Sequence, residues 1–149
     1  MAITAAPVTA DQHIVCRNVV HRVGAKATDN TTLYSGTLKC RTVSSGLIVE
    51  ATDVAAGTAT FAGVGVTHVS AVNDGTTPVV ELLQSGDFLL KVNTSTVTDA
   101  GVSGFVEVYL ADNNSVDVAG QTVADNPCGY IVEFVDASHA WVRIDGFAL

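Results

Sequence analysis

Gly129-Tyr130-Ile131-Val132-Glu133-Phe134-Val135, then Asp136-Ala137-Ser138-His139, then Ala140-Trp141-Val142-Arg143-Ile144: this stretch decides the fold class. Two runs of strand length, rich in β-branched and aromatic residues, flank a short polar connection. That pattern is an antiparallel hairpin. Neither run is long enough or spaced correctly for an amphipathic helix.

The same grammar continues toward the N-terminus. Residues 105–110 alternate apolar with polar, and Asp112-Asn113-Asn114-Ser115 turns them into Val116-Asp117-Val118. Residues 93–104 form a polar loop. Phe88-Leu89-Leu90-Lys91-Val92 is a strand, preceded by an expected turn at Ser85-Gly86-Asp87 and by a run at residues 79–83. Asn73-Asp74-Gly75-Thr76 supplies the positive φ that tight hairpins need. Over residues 61–70, alternation places Ala62, Val64 and Val66 on one face and Phe61, Gly63 and Gly65 on the other. Gly46-Leu47-Ile48-Val49-Glu50 is a short strand. Apolar structure begins at residues 13–16 and continues through Val19, Val20 and Val23, with a polar loop at 24–32. The expectation is an all-β, single-domain β-barrel or β-sandwich of nine or ten short strands, since turns recur about every ten residues.

Composition agrees. The 149 residues include 25 Val, 19 Ala, 17 Thr and 13 Gly, with few Leu, Met or Lys. Val and Thr are stiff at χ1 and suit a pleated surface. The length suits one domain with a core of its own. Residues 1–12, small and interrupted by Pro7, read as an extended N-terminal arm, and 13–149 as the β-domain. No internal repeat divides the chain.

Net charge is −8, divided unevenly. Arg17, Arg22, Lys26, Lys39 and Arg41 against Asp11 and Asp29 make residues 1–41 +3. Lys91 and Arg143 against 13 acids make residues 42–149 −11. An acidic balance argues against nucleic-acid binding, which needs a basic surface. No run approaches the apolar length of a spanning helix, and the first residues lack the pattern of a secretory signal, so no membrane role is expected. Cys16, Cys40 and Cys128 lack CxxC spacing and read as free thiols of a reducing compartment.

Catalytic constellations are missing from the sequence: no GxSxG, no GxxxxGK[ST] and no HExxH. Gly63-Val64-Gly65 opens a dinucleotide fingerprint but continues as a strand, where glycine permits a bend or a close backbone approach. His13, Cys16 and His21, with Cys40 recruited, have side chains that zinc uses, but sequence proximity is weak support for a site that needs three or four ligands. His68 and His139 are isolated and read as packed or solvent-facing. The acids sit in turns, where aspartate caps its own backbone. Residues 112–117 resemble a calcium loop superficially but lack its central Gly and its final Glu. A trimeric dUTPase fits the length, but its motifs and Gly-rich tail are not here. No catalytic, cofactor-binding or metal-binding residue is therefore assigned, and no enzyme activity is expected.

One ordered set of motifs remains. Phe61-Ala62-Gly63-Val64-Gly65-Val66, Ser85-Gly86-Asp87-Phe88-Leu89-Leu90, Val106-Glu107-Val108-Tyr109-Leu110-Ala111-Asp112-Asn113, and the closing hairpin from Pro127 to Ile144 follow one another over two-thirds of the chain. Together they resemble the capsid decoration, or cement, proteins of tailed phages and their capsid-fibre-like relatives. The resemblance implies a non-enzymatic virion protein on the outer surface of an icosahedral head. It would bind the major capsid protein as a homotrimer and bridge capsid subunits. The arm and the basic first quarter would then dock, with Ile3, Pro7, Val8, Arg17 and Arg22 as candidate capsid contacts. Phe147 and Leu149, beyond the last strand, are candidate subunit-interface residues, while Phe88, Phe105, Phe134 and Trp141 are expected in the core. A fibre-like or receptor-binding β-module on a virion is the alternative. A small hydrolytic or ligand-binding barrel is a third reading, which a deep pocket of convergent His and carboxylates would favour.

Overall fold

The computed structural model describes residues 8–28, 30–52, 58–71, 75, 77–92, 106–118, 127–136 and 138–145. These contain nine strands and no helix: β1 (Cys16–Lys26), β2 (Leu38–Thr42), β3 (Ile48–Glu50), β4 (Ala59–Gly65), β5 (Val79–Val92), β6 (Val106–Leu110), β7 (Ser115–Val118), β8 (Pro127–Phe134) and β9 (His139–Ile144). The chain is all-β, built on a small closed barrel with further strands outside it.

The barrel is the ring β5-β7-β6-β8-β9, closed where β9 returns to β5. Four of its pairings are antiparallel, and β5–β7 is parallel through Lys91↔Ser115 and Val92↔Val116. Two hairpins read from the sequence are present, as β6–β7 and β8–β9; of the turn expected at 73–76 only Gly75 is described, and β4 ends at Gly65, well before it. At the second, the Asp136 carboxylate accepts hydrogen bonds from the backbone N–H of Ser138 and of His139, which holds the turn. Period-2 alternation turns Phe88, Val92, Val108, Leu110, Val116, Ile131, Ala140, Val142 and Ile144 inward, all buried in one cluster.

The strand β5 belongs to two systems. Its first half lies between β1 and β4. Its second half enters the barrel. A turn was expected at residues 85–87, but β5 runs through it unbroken. Leu83 and Phe88, five residues apart, both reach the larger cluster, so the alternation must break between them. It breaks at Gly86, with φ of +140°. The bulge in β1 opposite this point, where register shifts flank His21, accommodates the bend. The loop expected at 24–32 likewise begins later, because β1 continues to Lys26.

The outer sheet β1-β5-β4-β2-β3 curls until Ala27 meets Ile48 in a parallel bridge. Ala27, Leu33, Ile48, Ala62, Val69, Val80 and Leu82 fill the enclosed space as a second cluster. The faces expected on β4 need correction. Phe61 and Val64 share the larger cluster, and Ala62 faces the smaller one. Cys40 pairs with Phe61 and Lys39 with Gly63, so Ala62 is the extra residue of a bulge. One inserted residue exchanges every later side chain between faces.

Candidate binding surface

Three of the places where residues of the basic first quarter meet the rest of the molecule bear on binding. The first is a row across the barrel exterior. Register pairs Arg17 with Asp87, Asp87 with Arg143, and Arg143 with Tyr130. Asp87 is almost wholly buried, with 2% of its side chain exposed. Arg143 grips it with two bonds, Nε to Oδ1 at 2.8 Å and a terminal N–H to Oδ2 at 3.1 Å. Arg17 Nε and the Asn18 amide donate to Oδ2 at 3.3 and 3.4 Å. These donors, Arg143 foremost, hold the Asp87 carboxyl below the usual carboxylate range. Arg17 also reaches Glu133 at 2.9 Å, and its guanidinium lies 4.2 Å from the centre of the Trp141 ring. Trp141, expected in the core, sits half-buried on the outside beneath this cation.

The second place is a buried polar cluster inside the curled sheet. Lys39 is fully buried, opposite Glu50 in register, and their charges are 3.1 Å apart. Lys39 Nζ also donates to the Tyr34 and Thr37 carbonyls. Glu50 accepts from the Tyr34 N–H, the Thr37 hydroxyl and the Asn113 amide. Burial pushes the Lys39 ammonium below its ordinary pKa, and Glu50 opposes the shift. Room for the lysine comes from Gly65, where a Cβ would lie 2.7 Å from Lys39 Cε. Asn113 carries the cluster outward by bonding Val8 in both directions, N–H to Oδ1 and Nδ2 to the carbonyl, each at 2.9 Å.

The third is β1 itself. Among the described residues its 11-residue length pairs only with β5, leaving the other edge open until the bridge at Ala27. Arg17, Arg22 and Lys26 stand exposed along it. Arg22 makes a solvent-exposed pair with Glu81 at 3.1 Å.

Of the candidate contacts, Val8 is therefore held by Asn113, Arg17 lies in the Asp87 row, and Arg22 projects from the open strand. Ile3, Pro7, Phe147 and Leu149 lie outside the described residues. Sequence reasoning missed Asp87, Lys39, Glu50 and Asn113, whose partners are distant in the chain. A clue existed for Lys39 alone: the glycines of Gly63-Val64-Gly65 mark a close approach.

The other constellations also have definite places. Cys40 is buried, its thiol pushed up to about 12, while Cys16 is exposed. Among the described residues no group of three His, Cys, Asp or Glu side chains is placed to hold a metal ion. His68 bonds Asp11 at 2.8 Å, which lowers the Asp11 pKa. Asp112 accepts from the Asn114 and Ser115 N–H groups and from the Ser115 hydroxyl, so it caps its own turn.

No family model matches this chain, and no curated protein or solved structure matches it.

Proposed function

We propose that this protein binds the outer surface of a tailed-phage head as a homotrimer, tying major capsid protein subunits together without catalysis. The observation that carries the reading is the edge of β1, which carries Arg17, Arg22 and Lys26 and, among the described residues, pairs with no strand but β5, on an acidic protein. Unpaired strand edges offer backbone donors and acceptors to an added strand. Arg17 and Arg22 are paired with acids of β5 and β8 there, and Lys26 forms no ion pair among the described residues, so it offers a cation that favours one orientation of docking. The ordered motifs of residues 46–144 support the same reading. A ligand that binds only the assembled shell stabilises it by mass action, and a trimer multiplies weak contacts.

The test is cosedimentation with expanded phage heads. The full chain should saturate the shell stoichiometrically, and heads carrying it should resist heat better than bare heads. Charge reversal by Arg22→Glu with Lys26→Glu should reduce binding and make what remains less sensitive to salt. Failure of the full chain to bind any shell overturns the proposal. Saturable binding to host cells instead would transfer support to a receptor-binding module on a virion.

A further inference from the structure

A cleft of about 290 Å³ opens between residues 12–15, the end of β5, the β6–β7 turn and the start of β9. That volume is at the lower end of small-molecule sites. Its lining runs against the charge of the chain. Asp and Glu outnumber Lys and Arg by 15 to 7, yet no carboxylate lines it. Lys91, His13, His139 and Asn114 do.

The topology explains how they converge. Lys91 and His139 are register partners on β5 and β9. The backbone N–H of Leu89 donates to the Val15 carbonyl at 2.9 Å, carrying residues 13–15 alongside β5 beyond the end of β1. Asn114 arrives on the turn held by Asp112. These polar groups are largely uncommitted. Among the described residues Lys91 and His13 form no ion pair. His139 turns Nδ1 to Ser138 and Asp136, leaving Nε2. The neighbouring Asn113 amide is fully engaged by Val8 and Glu50, so it shapes the wall and does not compete. Leu38, Leu90 and Val15 supply apolar surface beside these donors.

We propose that this cleft binds a carboxylate on a short aliphatic stem, with Lys91 as the charged anchor, His13 and Asn114 as donors around it and the His139 ring as part of the wall. The ammonium supplies the charge and the leucines accept the stem. Two sources share that chemistry: a free dicarboxylate and a glutamate side chain of a protein partner. No residue on the open edge of β1 takes part, so this proposal and shell binding fail independently.

The probes are glutarate, a short Glu-containing peptide and inorganic phosphate, each titrated into the folded chain and followed by backbone amide NMR. Glutarate or the peptide should give saturable shifts confined to residues around His13, Lys91, Asn114 and His139. Tighter binding of the peptide assigns a partner's side chain, and tighter binding of glutarate a free metabolite. Lys91→Gln should weaken binding about tenfold, the loss expected of one charge-assisted hydrogen bond. Asn114→Ala, on the turn surface, should weaken it less. Lys91 is exposed, so the amide spectrum of the variant should otherwise match the parent's and report its fold directly. Absence of saturable shifts with both carboxylates, preference for phosphate, or equal binding by Lys91→Gln would each overturn the assignment.

Discussion

Two charged residues at the centre of this protein behave oppositely to those at its surface. Lys39 and Glu50 are buried and mutually satisfied, so removing one strands the other in a low-dielectric interior. Glu50→Leu should cost about 3–5 kcal/mol in urea unfolding, the range for breaking a buried pair. Arg22→Ala, losing an exposed pair, should change stability by less than about 1 kcal/mol. Asp87 gives the acid response. Its pKa is depressed in the folded state by Arg143, Arg17 and Asn18. The stabilisation is present above the unfolded carboxylate value, about 3.9, and is lost as pH falls through the lower folded value. Asp87→Asn should therefore flatten the stability–pH curve below about pH 4, compared by urea midpoints at successive pH values. None of these roles was legible locally. Nothing in Leu-Lys-Cys-Arg-Thr distinguishes the buried Lys39 from the exposed Arg41 two residues later; Lys39 is enclosed by Glu50, Tyr34 and Gly65, brought to it by the fold.

Among the elements, β5 carries the organisation. It is flanked on both edges over much of its length, whereas among the described residues β1 is flanked on one. Amides of β5 should exchange with solvent most slowly and those of β1 much faster, as read by hydrogen exchange. The bend at Gly86 is an obligatory glycine. Its φ is +140°, and an added Cβ would stand 3.0 Å from Val19 Cα and Cγ2. Gly86→Ala should destabilise by more than about 1 kcal/mol, because strain in the folded chain outweighs the entropy gained. The sequence reads Ser85-Gly86-Asp87 as a turn because the same residues serve turns and bulges; only pairing partners tell them apart. The hairpins β6–β7 and β8–β9 were legible because their registers are set by contacts within about 15 residues.

At the scale of the whole molecule, the barrel and the curled sheet share one strand and one core cluster, which contains residues of both. Unfolding should be a single cooperative transition. Fluorescence of Trp141, the only tryptophan, reports the barrel; far-UV circular dichroism reports all strands. Their urea curves should coincide, and separate midpoints would mean that the two parts fold independently. The acidic charge, the Val- and Thr-rich composition and the short alternating runs determined by themselves that the chain is all-β, where its local hairpins lie, and that its first quarter differs in charge from the rest. Tertiary structure alone decided that β5 serves two systems, that Lys39 and Glu50 meet inside, that Trp141 lies outside under Arg17, and that His13, Lys91, Asn114 and His139 converge on one cleft. The reason is physical. Alternation along a strand specifies two faces, but which face is inner depends on register, bulges and closure, and those are set by residues far apart in the chain.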